Sequence, residues 1–348
     1  MKQKSNKMAR VVQFLVPRQS GYSNDERIST APALTMKFKA FFLTLSASLL
    51  LACGTEQPAP AVAPAAEPQV DPQTAPFQVE AERFADLRIL RYQVPGFESL
   101  SLRNKTLLYY LTQAGLSGRD IIYDQKYRYN LAVRRTLEEI VRNYPGPRET
   151  EAFQAMLEYT KRVWVANGIH HHYGYDKFVP GFGYEDLVGF VEATPGSFPT
   201  RPGQSVDELL AELRPIIFDS TVDPRLVNRV PGEDPVATSA VNFYSGVTQN
   251  DVETFYAERR DPNDETPIWH GLNSRLTNVD GEIVEQAWHV GGLYTEAIER
   301  VVYWLEQALT VTENDLQHDA IEKLIAYFRS GDLEDWDCLL YTSPSPRD

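Results

Sequence analysis

Asn167-Gly168-Ile169-His170-His171-His172-Tyr173-Gly174 decides how this chain is read. Three of its six histidines stand side by side, after a helical pattern and before a loop rich in glycine and proline. A triple histidine invites a metal site. Adjacent side chains in a strand, however, point to opposite faces, and neighbours i and i+1 on a helix diverge. Three consecutive imidazoles therefore rarely converge on one ion, and the run is expected to line a cleft or brace a loop. Asn167, His171 and Tyr173 are the candidates for facing a ligand, because polar groups on a loop after a helix are well placed for contact. Hydrogen bonding within the loop is the competing account.

Outward from this run the pattern is mostly helical. Leu107, Leu108, Leu111 and Ala114 form one apolar face that Gly115 and Gly118 are expected to close. Val133, Leu137, Ile140, Val141 and Tyr144 form a second, stopped by Pro145-Gly146-Pro147. Phe153, Met156, Leu157, Thr160, Val163 and Trp164 form the helix that leads into the histidines. Beyond them, Phe178 to Gly203 reads as a long connection bordering a cleft. Ser205-Val206-Asp207-Glu208 has the form of a capping box, and Thr248 caps a helix carrying Val252, Phe255 and Tyr256. Ile298, Val301, Val302, Leu305 and Leu309 line a long helix. Ile321, Leu324, Ile325 and Phe328 line another, ended by Gly331. Both faces are expected to need later sequence to cover them. Strands are fewer: a hairpin about Asp280-Gly281 and a β-rich segment from Val236 to Tyr244. The expected class is mainly α with a small β component, an α+β fold. His289 beside Gly291-Gly292 reads as packing or capping. The pairs Asp219/Asp223 and Glu282/Glu285 read as solvated charge.

Net charge is −14 over 348 residues. Residues 1–52 carry +6, so the remainder carries −20. So acidic a body repels phosphate backbones, which argues against a nucleic-acid partner. Met36-Lys37-Phe38-Lys39, the apolar run Ala40 to Ala52 and Cys53-Gly54 have the form of a lipoprotein signal peptide, with Cys53 as the lipidated residue. The run is short of the 20 or so residues a spanning helix needs. Residues 1–35 read as upstream sequence, 36–52 as the signal peptide and 53–77 as a Pro/Ala-rich tether. The protein is then expected on a bacterial membrane, in the cell envelope, held by acyl chains at Cys53.

Several blocks resemble the dipeptidyl peptidase III family, in its Bacteroidetes-type form. They are Arg88-Ile89-Leu90-Arg91-Tyr92-Gln93-Val94-Pro95-Gly96-Phe97, Gly118-Arg119-Asp120-Ile121, Tyr129-Asn130-Leu131-Ala132-Val133-Arg134-Arg135 and Val163-Trp164 with the Asn167 to Pro180 run. Val241-Asn242-Phe243-Tyr244 with Gly246-Val247-Thr248, and Gly291-Gly292-Leu293-Tyr294 with Ala297-Ile298-Glu299, follow in order. The resemblance implies a two-lobed zinc exopeptidase that releases dipeptides from the free N-terminus of oligopeptides. It also implies a His-Glu-x-x-Gly-His helix whose histidines bind zinc and whose glutamate is the general base.

The chain departs from that pattern at the site itself. His170, His171, His172, His270, His289 and His318 are followed by His, His, Tyr, Gly, Val and Asp, so no register supplies the zinc motif. Residues 78–337 are therefore expected to be the N-terminal part of such an enzyme, mostly its non-zinc lobe plus the start of the helical lobe, with 338–348 as a non-native tail. Such a part would hold no zinc and no catalytic residue. The alternative is a non-catalytic envelope lipoprotein that binds peptides or a protein partner.

Overall fold

Side chains at helix starts set most of the element boundaries. The computed structural model describes residues 77–261, 263 and 267–342. The proposed upstream extension, signal peptide, Cys53 and nearly all of the tether lie outside the described residues, as do 343–348 of the proposed tail.

Among the described residues, 77–83 and 87–93 form a small unit, and 84–86 with 94 onward a larger one. The small unit carries most of a two-stranded sheet, β1 (Glu80–Phe84) with β2 (Leu87–Leu90). The Glu80 carboxylate accepts from Arg83 (3.1 Å) and Arg88 (2.9 Å).

In the larger unit, Ser101 caps α1 (Leu102–Ser117) by accepting from the Asn104 N–H. Gly115 lies inside this helix, and Gly118 alone is its end. α2 (Arg119–Lys126), α3 (Asn130–Asn143) and α4 (Glu151–Ala166) follow. Ser205 forms the expected capping box with Glu208 at the start of α6 (Val206–Phe218), and Thr248, expected as a cap, forms a box with Asp251 at the start of α7 (Gln249–Ala257). Between α4 and α6, the sequence read as one long connection contains α5 (Tyr184–Ala193). The Asp186 carboxylate holds the Gly183 N–H at 2.8 Å, which lets a helix start inside a Gly/Pro-rich stretch.

A three-stranded sheet runs in the order β3 (Tyr244–Ser245), β4 (Ser274–Val279), β5 (Glu282–Ala287). β3 is parallel to β4, and β4 is antiparallel to β5 from Ser274↔Ala287 to Val279↔Glu282. Asp280 and Gly281 both have positive φ, 53° and 95°, as a tight two-residue hairpin turn requires. The expected strand from Val236 shrinks to β3. Asp234 Oδ1 accepts from the Val236 and Ala237 N–H groups, and the Thr238 and Ser239 hydroxyls donate back to the carbonyls of Asp234 and Pro235. Local side-chain bonds of this kind coil the backbone and compete with a ladder.

Two apolar cores result. The first joins α2 to α6 around Val133, Leu137, Ile140, Phe153, Met156, Val163, Ile169, Leu187 and Leu213. The second joins α1 to α8 (Thr295–Leu309) and α9 (Asp315–Ser330) through Leu107, Ala114, Ile298, Leu305, Ala308, Ile321 and Ile325. The faces on Ile298 and Ile321, expected to await later sequence, are thus covered by α1 and by each other. Each buried side chain of this size contributes roughly 1.5–3 kcal/mol. Gly331 (φ 71°) ends α9, and α10 (Leu333–Thr342) follows, continuing through Cys338. The class is α+β, dominated by helices.

Candidate functional site

The histidine run forms a tight hairpin fastened at its root. α4 ends at Asn167, which takes the left-handed conformation (φ 53°). The Gly168 N–H reaches back to the Val163 carbonyl at 3.0 Å. Gly168 has φ 149° and lies against the buried Asn130 side chain. Asn130 accepts from the Ile169 N–H (3.0 Å) and donates to the Tyr123 carbonyl (3.1 Å). The pairs Phe178 N–H to Ile169 carbonyl and His171 N–H to Asp176 carbonyl, both 2.8 Å, then zip the hairpin.

The three histidines separate as adjacent residues should. His170 is buried, and its Nε2 lies 2.8 Å from the Asp223 carbonyl. His171 turns onto its own loop, where Nδ1 accepts from the N–H groups of Tyr173 (3.1 Å) and Gly174 (2.9 Å). His172 stacks on His171 at a centroid distance of 4.7 Å and meets the Tyr173 ring at a tilt, 4.3 Å away. Tyr173 is 81% exposed. Of the three candidate ligand-facing residues, then, Asn167 ends a helix and His171 has one nitrogen engaged within its loop. Tyr173 presents its ring to solvent.

Acidic side chains anchor several distant partners in this unit. The Asp124 Oδ2 on α2 accepts from the Tyr294 hydroxyl (2.6 Å) and from Asn242 Nδ2 (3.1 Å). Burial, then the bond to Asp124, raises the Tyr294 pKa and keeps that hydroxyl a donor. Asp223 accepts from the Tyr127 hydroxyl. Asp120 binds Arg134 and Arg135, each at 2.9 Å, while Arg134 also pairs with Glu138 (3.4 Å) and covers the Tyr123 ring. Burial pushes the Asp120 carboxyl up, but the two guanidiniums outweigh it and hold it below the usual range.

Two acidic pairs read as solvated charge are half so. Asp223 holds Tyr127, and Glu285 Oε1 accepts from Ser274 (2.6 Å) and Tyr256 (3.1 Å). His289 packs against Gly292 and Gly331, as its neighbours suggested. Tyr294 and Asp124 stand 170 positions apart, and no spacing rule links them.

The donor set does not fit a catalytic zinc. Among the described residues, which include all six histidines, one cluster brings three such groups together: His318, Asp319 and Glu322, largely exposed along α9. It holds one histidine and two carboxylates.

No family model matches the chain, and no curated protein matches it in sequence. Among solved structures it is similar to DPP III from Caldithrix abyssi, at 17% identity and a TM-score of 0.40, covering 70% of this chain and 34% of that one. It is also similar to dipeptidyl-peptidase III from Corallococcus sp. strain EGB, at 15% identity and a TM-score of 0.42, covering 71% and 34%. The chain thus spans about a third of the length of each.

Proposed function

We propose that this chain is the N-terminal part of a zinc-dependent dipeptidyl peptidase, lipid-anchored at Cys53 in a bacterial cell envelope, that releases dipeptides from oligopeptides. One observation supports this reading above the rest. The blocks that resemble the dipeptidyl peptidase III family are the blocks the fold ties to one another. Asn130 holds the Ile169 N–H, Arg134 and Arg135 hold Asp120, and Asn242 and Tyr294 meet on Asp124 of the helix that Arg119 opens. Chance matches scattered over a surface would not be joined to one another by polar contacts.

Zinc and its general base would come from sequence outside these 348 residues, since no histidine here precedes a glutamate. On this reading the chain alone is inactive. It contributes a cleft wall in which Tyr173, with Asn167 and His171 behind it, meets the oligopeptide. The competing reading, a non-catalytic envelope lipoprotein that binds peptides or a partner, draws on the same missing catalytic set. Sequencing the source DNA across codon 337 separates them. A reading frame that runs on to His-Glu-x-x-Gly-His supports the peptidase. A stop codon at that point in the gene, with no such motif downstream, overturns it.

A further inference from the structure

The buried histidine of the triplet occupies a position the peptidase reading does not use. His170 donates through Nε2 to a backbone carbonyl, that of Asp223, so Nε2 carries the ring proton and Nδ1 is bare. That Nδ1 is buried and has no hydrogen-bond partner among the described residues. The ring stands edge-on to Tyr127 at 5.3 Å, and the Tyr127 hydroxyl binds the Asp223 side chain. The imidazole and the neighbouring Tyr127 thus hold the same loop residue, one by its carbonyl and the other by its side chain.

The loop 219–226 is fastened to the hairpin 169–178 by a short row of bonds. His170 holds Asp223, the Lys177 N–H donates to the Pro224 carbonyl (3.0 Å), and the Leu226 N–H donates to the Tyr175 carbonyl (2.8 Å). Lys177 Nζ caps the carbonyls of Ile216, Asp219 and Val222. A cavity of about 240 Å³ lies along the seam, lined by Phe178, Ile217, Phe218, Pro224 and Arg225 among others. Asp223 has φ 45°, a left-handed conformation that its contacts must hold in place.

We propose that His170 is a pH-operated latch: neutral, it closes loop 219–226 onto the histidine hairpin, and a second proton on its ring releases that loop. Protonation would place a donor and a charge at Nδ1, where nothing accepts. The nearby Asp223 and Asp176 carboxylates favour a charged ring, but neither accepts from Nδ1. The Asp223 carboxylate already serves Tyr127, Asp176 lies against Arg225 (3.9 Å), and the Lys177 ammonium repels a second cation. Tyr127, the residue that closes α2, meets the ring edge-on as a neutral phenol, and Arg128 acts on Tyr127. Burial first, then Lys177, draws the His170 pKa below the ordinary value, against the pull of the Asp223 carbonyl and of the Asp223 and Asp176 carboxylates. A histidine with a lowered folded pKa stabilises the closed loop fully above about pH 6.5. That contribution falls away as pH drops, by up to about tenfold in the opening constant per unit until the closed form itself titrates.

Hydrogen exchange on the full chain tests this. The Lys177 and Leu226 amides report the seam, and the Phe178 amide, bonded within the hairpin, serves as internal control. After correction for intrinsic rates, opening at Lys177 and Leu226 should rise at least about fivefold from pH 7 to pH 5. It should stay flat in His170→Gln, which keeps a donor for Asp223 and cannot titrate. A flat parent, or a variant that moves as the parent does, overturns the latch. Should His170→Gln fail to fold, ring ¹⁵N shifts of the parent decide. A neutral Nε2–H ring at pH 6 is expected, and a charged ring at that pH refutes the proposal.

Discussion

Replacing Gly168 by alanine should unfasten the root of the histidine hairpin. A Cβ built there lies 2.7 Å from Asn130 Cγ and 2.9 Å from its Oδ1, and nearer still to Nδ2. Asn130 is fully buried, so its amide has nowhere to go without surrendering its bonds to the Tyr123 carbonyl and the Ile169 N–H. Leaving those buried groups unpaired costs about 1–3 kcal/mol each. The positive φ of 149° adds roughly 1–3 kcal/mol for an L-residue. The sum, about 3–9 kcal/mol, is a large part of the roughly 5–15 kcal/mol by which proteins of this kind are stable. Urea unfolding of the parent, Gly168→Ala, Asn130→Ala and the double variant measures it. Once Asn130 is gone the clash is gone, so the second substitution should add only the backbone cost. Coupling of about 2 kcal/mol is expected between the sites. A Gly168→Ala variant within 1 kcal/mol of the parent, or strict additivity, refutes the reasoning.

Asp124→Ala strips the acceptor from Tyr294 and Asn242 and should cost about 2–4 kcal/mol, while Glu282→Gln on the exposed hairpin should stay within about 0.5; chemical denaturation of both variants checks the contrast. Tyr159 is buried with a hydroxyl that has no partner among the described residues, and burial raises its pKa. Tyr159→Phe should therefore be neutral or stabilise by up to about 1 kcal/mol, and a fall in thermal stability beyond that would contradict the assignment. Asp120 has a lowered folded pKa, so its ion pairs stabilise fully above the ordinary carboxylate range and are lost as pH falls through the folded value. Below about pH 4 the parent should lose more stability per pH unit than Asp120→Asn, and parallel acid-unfolding curves would count against it.

What the sequence made legible was what local chemistry decides. The Ser205–Glu208 box, the Thr248 cap and the Asp280-Gly281 turn each act on groups within a few residues, and all formed where the pattern placed them. The amphipathic faces of α3, α4, α8 and α9 were equally readable, but not their partners. That α1 covers α8 is a contact across nearly two hundred residues, invisible to periodicity. The misread segments share one cause. From Val236 to Ser239 the β-rich letters lost to Asp234, whose carboxylate gathers three backbone N–H groups, and α5 arose where Asp186 supplies a cap that Gly183 lacks. The site was the least legible part. Spacing separated the three imidazoles correctly, yet nothing local marked His170 as buried or Asp124 and Asp223 as the anchors for distant tyrosines.

The most direct test of the central claim is a paired measurement on the purified full chain: zinc content by mass spectrometry and dipeptide release from an arylamide substrate, each with and without chelator. The account predicts substoichiometric metal and no chelator-sensitive release. One tightly held zinc per chain with chelator-sensitive turnover would contradict it.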